Sequence, residues 1–580
     1  MTPNETLSLP ARPARPFIGE AMELRGWDDV KPFYDNLLNR PLNNADELRQ
    51  WLIDRSELES YLSENFAWRY IRMTCDTANE ELVNQLNFFI ADIQPPMTEY
   101  GNELDLKAVH SPFLSELTDA GFDIMVRGMK KAIEIYRDEN IPLQTDMQTE
   151  ERKYGAIAGA MTVQIDGREL TLPEATDRLQ LTSRAEREEA WRKIAERRYQ
   201  DHAVLDQLFD RLRDLRHRVA VNAGFANFRD YSFAALGRFD YTPADCYRFH
   251  ESVAEAVVPL LDVLSQERKQ KLGVDHLRPW DLKVDAEGRP PLKPFATGAE
   301  LVEKTIACFD RLDRELGDDL RIMRAMGHLD VESRKGKAPG GYNYPLEEIG
   351  VPFIFMNATS SLRDLVTMVH EGGHAVHSFL TRDLPLKAFR NPPMEVAELA
   401  SMSMELLSMD HWDVFFDKPD ELRRAKRQHL ESIIETLPWV ATIDAFQHWV
   451  YENPDHTVEE RRENWVRIHD RFADRITDWS GIGYYKEYIW QRQLHLYEVP
   501  FYYIEYGIAQ LGAIAIWRNY RRDPKAGLAG YKAALSLGYK APIRDIYAAA
   551  NVPFDFSKPY IQELMAFVAE EIRTVATDTN

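Results

Sequence analysis

The chain has 580 residues, 44% of them hydrophobic, which is enough to bury substantial cores. It sets 71 Lys and Arg against 94 Asp and Glu, a formal net charge of −23, and so acidic a surface argues against a general nucleic-acid binder. Cys75, Cys246 and Cys308 are scattered without metal-ligand spacing and read as free thiols of a reducing compartment, which excludes a disulfide scaffold.

The first twenty residues interleave Pro10, Pro13 and Pro16 with arginines and read as an extended arm, with no basic stretch and apolar core to mark a secretory signal. Long helical patterns dominate from Asp46 onward. Ser183 to Val221 reads as one helix opened by a Ser183/Glu186 capping box. Strand-like runs are confined to Met161–Leu172 and Tyr342–Ala358, and Val274–Thr297 is a Pro- and charge-rich loop region. The pattern predicts a mainly α protein with an arm (1–20), an amino-terminal helical lobe (21–180) and a larger lobe (181–580). Pro339-Gly340-Gly341 signals a turn, after which Tyr342 and Tyr344 could flank a cleft. Pro352 lacks a backbone donor, so Val351–Ala358 is expected to be an edge strand. An extended peptide could then add along Ile354, Phe355 and Met356.

The strand leads into a helix announced by Ser361 and Asp364 and continued by Leu362, Leu365, Val366, Met368 and Val369. Within it lies His370-Glu371-Gly372-Gly373-His374. Residues four apart share a helix face, so both imidazoles can bind one metal ion. Glu371 sits beside that face, placed to take a proton from a water on the metal, which is the His-Glu-x-x-His pattern of a zinc peptidase. The form with a third histidine would need glycine at position 377 and histidine at 380, where the chain has His377 and Leu380. His377 reads as a packed helix residue.

Such a site wants a third protein ligand and leaves the fourth position to water. Asn391-Pro392-Pro393 starts a second helix, Met394 to Asp410, carrying Glu395, Glu398 and Glu405. Glu395 complements the macrodipole of the first turn whether or not a metal is near. Glu398 is flanked by Val396, Ala397, Leu399 and Ala400, where a carboxylate is costly unless paired or metal-bound, and is the expected ligand. Glu405, two turns further on, is a candidate to orient a ligand imidazole, or else an ordinary salt-bridge partner. Val499–Trp517 approaches membrane-spanning length but contains Pro500, Glu505 and Gln510, so it reads as a buried helix.

These residues resemble the oligoendopeptidase F and thimet oligopeptidase family of zinc metallopeptidases. The likeness rests on His370 to His377, Ala397-Glu398-Leu399-Ala400-Ser401, Gly340-Gly341-Tyr342, Pro352 to Asn357 and the tail His495 to Tyr506, and covers about residues 180 to 570. It implies one zinc ion per chain, held by His370, His374 and Glu398, and makes residues 181–580 the catalytic lobe. It also implies a deep channel, enclosed by the two lobes, that admits short peptides and excludes folded proteins. Gly340, Gly341, Tyr342 and Tyr503 become substrate-contact candidates. The family's histidine and tyrosines of the tail map to His495, Tyr502 and Tyr506, although a one-residue slip would exchange Tyr502 with Tyr503. A zinc aminopeptidase is unlike this chain, because the string closest to its Gly-x-Met-Glu-Asn motif, Gly159-Ala160-Met161-Thr162-Val163, lacks the glutamate.

The expected activity is hydrolysis of internal bonds of short, unfolded peptides, in the cytoplasm, with no nucleic-acid or membrane partner and no trace of oligomeric state. The nearer alternative is a dipeptidyl carboxypeptidase or carboxypeptidase of the same superfamily, marked by a cation that captures the terminal carboxylate. The remote one is a zinc-containing peptide-binding scaffold, against which Glu371 speaks, since a structural site needs no base.

Overall fold

The computed structural model describes residues 7–577. It is 68% helical with two small sheets, as the mainly α expectation required. Residues 7–16 have no regular secondary structure, yet the segment docks rather than floats. Arg15 is buried and its Nη2 donates to Glu348 Oε2 at 2.6 Å, while Ile18 enters a core.

The first long helix, α1 (Ala45–Cys75), starts where the Asn44 side chain accepts from Glu47 N at 2.9 Å, with Asp46 and Glu47 complementing the dipole. Its Trp51, Leu58 and Leu62 fill a first core that runs from Ile18 to Met129 and receives Leu386 and Phe389 from far along the chain. A second, larger core begins at Leu143 and continues to Val575. The hairpin of β1 (Thr162–Ile165) and β2 (Arg168–Thr171) packs at its margin.

The helix expected over Ser183–Val221 is two: α2 (Arg184–Gln200) and α3 (His202–Asn222). The imidazole Nδ1 of His202 donates to the Tyr199 carbonyl at 2.5 Å, occupying an acceptor the helix ladder would use, and the chain breaks at Asp201.

A three-stranded sheet has the order β3 (Leu329–Glu332), β5 (Phe353–Ala358), β4 (Tyr342–Tyr344), with β3 parallel and β4 antiparallel to β5. This corrects the edge-strand expectation. Pro352 stands just before the first strand residue, so its missing donor costs no ladder bond, and β5 takes partners on both sides. Ile354, Phe355 and Met356 are at most 1% exposed and pack into the protein, not toward a peptide. The edge next to the turn is β4. Its Tyr342 ring stacks on Phe355 at 4.9 Å and its hydroxyl lies 2.6 Å from Thr74 Oγ1 of α1, which ties the sheet to the first lobe.

Four further helices position the site: α4 (Leu362–Thr381), α5 (Met394–Met409), α6 (Pro419–Glu452) and α7 (Tyr503–Arg522). The capping box of α4 is complete, Ser361 Oγ accepting from Asp364 N and Asp364 Oδ2 accepting from Ser361 N. Helices α4 and α5 approach so closely that a Cβ on Gly373 would fall 2.6 Å from the Ala400 carbonyl oxygen. Helix α7 is buried along most of its length, and among the described residues no helix is long and apolar enough to cross a membrane.

Candidate metal centre and active site

On α4, His370 and His374 stand one turn apart with ring centroids 5.0 Å from each other. Helix α5 brings Glu398 to them: its Oε2 is 3.4 Å from His370 Nε2 and 3.6 Å from His374 Nε2. Ligand atoms bound at roughly 2.0–2.1 Å to one tetrahedral ion sit about 3.4 Å apart, so this spacing fits zinc. Two imidazoles and a carboxylate are also a donor set that zinc accepts. The three groups therefore fit the ion that the motif implies.

Around this triad the remaining atoms are committed. Glu405 Oε1 lies 2.7 Å from His370 Nδ1, which leaves His370 Nε2 to face Glu398 and His374, as expected for an orienting carboxylate. Glu398 Oε1 accepts from the Tyr502 hydroxyl at 2.7 Å and Oε2 from Ser401 Oγ at 3.0 Å. Burial opposes ionisation of Glu398, but His370, His374 and Tyr502 overcome it and hold the carboxyl down to about 2. Burial pulls His374 down to about 4, toward the neutral form that ligates metal. Glu371 is not one of the grouped ligands, and burial pushes its carboxyl up to about 7. Asn343 of β4 donates to the Glu371 backbone carbonyl at 3.2 Å, linking the sheet edge to the base.

Glu395, the rejected ligand, accepts from Tyr241 Oη at 2.5 Å and lies 3.8 Å from Arg238 Nε. It belongs to a buried network with Arg238 and Glu505, apart from the triad. His377 is buried and its pKa falls to about 3 through desolvation, in keeping with a packed role.

The tail brings His495, Tyr502, Tyr503 and Tyr506 together. The His495 ring centre is 5.8, 4.9 and 5.9 Å from those of the three tyrosines in that order. Tyr502 and Tyr503 diverge because they are successive residues of the α7 start, about 100° apart around the axis, and Phe501 before them adopts φ +66°, a left-handed conformation costly for an aromatic residue. The strain is held by Gln447 Oε1, which accepts from Phe501 N at 2.6 Å, and by Arg238, which donates to the Phe501 carbonyl. Tyr502 then reaches Glu398, while the Tyr503 hydroxyl turns toward Trp439 and Gln493.

Sequence reasoning missed Gln493 and Trp439. Trp439 Nε1, a donor only, binds Gln493 Oε1 at 3.1 Å, so Gln493 Nε2 must face His495 Nδ1, 2.7 Å away. Nδ1 is thereby an acceptor and the proton resides on His495 Nε2. Burial holds this imidazole down to about 4, so it is a neutral donor near pH 7. His429 of α6 was missed too, its Nε2 3.5 Å from Glu405 Oε2, and no motif pointed to it.

A second group, Cys246, Asp444 and His448, has ligand atoms within 4.8 Å of one another, but all three residues are sealed inside the core and none lines the large cavity described below. Removing the carboxylate that orients His370, as Glu405→Ala, is expected to weaken zinc affinity by about 10- to 100-fold, read by competition with a chelator. An unchanged affinity would reduce Glu405 to a salt-bridge partner.

Two imidazoles one helical turn apart, a carboxylate from the next helix and a glutamate beside the first imidazole define the metallopeptidase class of site, here in a mainly helical shell. The family profile described as Peptidase family M3 matches residues 179–566, and that of the Peptidase M3 N-terminal domain matches residues 21–136. The chain belongs to peptidase family M3. It is 26% identical over 193 residues to an oligoendopeptidase F homolog of Lactococcus lactis subsp. lactis, a stretch covering 33% of this chain and 31% of that protein. It is 25% identical over 309 residues to oligopeptidase PepF of Bacillus subtilis, 52% of this chain and 45% of that one. The alignments thus span less than half the length of these curated relatives. The structure of PZ peptidase A with an inhibitor superposes with a TM-score of 0.89 at 26% identity, over 96% of this chain and 99% of that one. Oligoendopeptidase-F from Enterococcus faecium shares the fold, with a TM-score of 0.64 at 14% identity over 95% of this chain and 97% of that one.

Proposed function

We propose that this protein is a zinc-dependent oligopeptidase that hydrolyses internal bonds of short peptides in the cytoplasm. The observation that carries the reading is the convergence of His370, His374 and Glu398 beside Glu371, whose carboxyl makes no metal-spaced contact and is free to move a proton.

Zinc, when bound, supplies Lewis acidity toward the scissile carbonyl and makes water a nucleophile near neutral pH. The chain's own residues do the rest. Glu371 takes the proton of the attacking water and returns it to the leaving amine, so no covalent acyl-enzyme forms. His495, through Nε2–H, and the Tyr506 hydroxyl donate to the oxygen on which negative charge develops. Tyr502 fixes Glu398 Oε1, leaving Oε2 for the ion.

The substrate backbone lies along the free edge of β4, where Gly340 and Gly341 leave room for main-chain approach, in place of the β5 residues expected from sequence. Asn357 Nδ2 donates to the Gly340 carbonyl at 2.9 Å, which holds this turn in shape. Tyr503, whose ring packs against His495 and Tyr506, is the further substrate contact on the side of the tail. The three cysteines are all free, in keeping with a reducing compartment.

An internally quenched peptide blocked at both ends is expected to be cut by the zinc-loaded protein, to survive after chelation, and to be cut again when zinc is restored. Cleavage of free-ended peptides alone would move the reading to an exopeptidase, and binding without cleavage to a scaffold.

A further inference from the structure

A cavity of about 1040 Å³ opens beside the first turns of α4. Its walls come from α2, the loop region near residues 279–293, α6 and the segment 469–492. Most acids on this wall already have cationic partners: Glu431 bonds Arg427 at 2.6 Å, and Asp285 receives Arg424 at 3.1 Å and Arg289 at 3.2 Å.

Several cations on the same wall do not, and Arg198 and Arg492 stand beside each other among them. Among the described residues, neither Arg198 of α2 nor Arg492 has a carboxylate within 4 Å or a side-chain hydrogen bond. Arg492 lies over the Trp439 ring at 4.7 Å, a contact that orients its planar fork without neutralising it. It is exposed to the cavity yet walled by protein. Desolvation and the nearby charge of Arg198 pull it down to about 10, still cationic at neutral pH. Two like charges held beside each other without counter-ions raise the free energy of the empty protein, and an anion entering the cavity relieves it.

The position connects this pair to the chemistry. Arg492 adjoins Gln493, which orients His495, and it stacks on the same Trp439 that orients Gln493. Arg492 is thus two contacts from His495, through Trp439 and Gln493.

We infer that Arg492 and Arg198 form a carboxylate-binding subsite for the peptide substrate, selecting substrates that place a carboxyl-terminal carboxylate or an acidic side chain in this cavity. The guanidinium of Arg492 offers paired donors matched to the two oxygens of that group. This rests on the oligopeptidase reading, and deepens it by naming a substrate class.

The test measures binding, so it does not depend on turnover. Zinc-loaded Glu371→Gln is titrated with three peptides of one length: a free acid with neutral side chains, its amide, and the amide bearing a single Asp moved along the sequence. The carboxylate-bearing peptides are expected to bind about 10- to 100-fold more tightly than the neutral amide, as hydrogen bonds to a charged group imply. Adding Arg492→Met should collapse that ratio toward one, Arg198→Met should reduce it, and Arg492→Lys should keep part of it. Preference for the free acid alone identifies the terminal carboxylate, and joined to no cleavage of the doubly blocked peptide it moves the activity to a carboxypeptidase; preference for an Asp peptide alone identifies a side-chain subsite. Equal binding of all three, or a ratio that survives Arg492→Met and Arg198→Met together, overturns the inference. Failure of the wild type to cleave any of these peptides would overturn the oligopeptidase reading while leaving the binding result to stand or fall separately.

Discussion

Replacing Glu371 by Gln is expected to lower kcat by about 10²- to 10⁴-fold, the range that a positioned general base contributes, while zinc stays bound. The amide keeps the shape and much of the hydrogen bonding of the carboxylate but cannot take a proton. The metal should remain, because the triad's contacts run among His370, His374 and Glu398. The helix should also remain, because Asn343 binds the backbone of residue 371 and not its side chain. A carboxyl held up to about 7 by burial has the proton affinity a base needs near neutrality, and a dication beside it would draw that value down. Single-turnover cleavage and metal analysis on the same preparation decide the matter. A zinc-loaded Glu371→Gln protein with most of its activity would remove Glu371 from the role of base.

Glu398→Ala should act on the other half of the site: metal content falls, and activity falls because of it. The loss should exceed the 10- to 100-fold or so that an outer partner costs, since a direct ligand disappears and Tyr502 is left without its acceptor. Glu395→Ala is the control. It should leave zinc in place and instead lower Tm, because Arg238 and Tyr241 lose a buried partner. Fully loaded, active Glu398→Ala would defeat the ligand assignment. Metal loss in Glu395→Ala with normal loading of Glu398→Ala would exchange the two roles.

The parts of the site legible in sequence are those set by local geometry. His370, Glu371 and His374 are related by one helical turn, and a turn is the same wherever the helix packs. Glu398 was readable because an acid amid apolar neighbours needs a reason to be there, and Glu405 because it lies two turns further along the same helix face, with an ordinary salt bridge left as the other reading. What depends on a distant partner was not readable. Pro352 announced an edge strand correctly as a rule, yet it stands one residue outside the ladder, and only the fold shows β3 and β4 flanking β5. Ser183–Val221 contains neither proline nor glycine to mark a break at Asp201, and the imidazole of His202 interrupts the ladder without such a signal. The proposed lobe boundary at residue 180 has a similar origin: Leu143, Tyr154 and Val163 belong to helices and strands of ordinary appearance, but their side chains fill the larger core. The cavity was hidden most completely. Its walls come from stretches hundreds of positions apart, none of them from residues 21–136, so its arginines carried no signal when read in isolation.

Phe501 changes how this catalytic tail should be compared with other sequences. With φ at +66°, Phe501 marks where the helical phase of α7 begins, and that phase sends Tyr502 to Glu398 and Tyr503 to Gln493. Spacing along the chain therefore does not identify the functional tyrosine; the left-handed residue does, and an alignment anchored on it would pair residues that a gap-minimising one exchanges. A glycine there would relax the strain and also loosen the rule by which the neighbours are told apart. Stability surrendered at one residue secures unambiguous addressing of the next two.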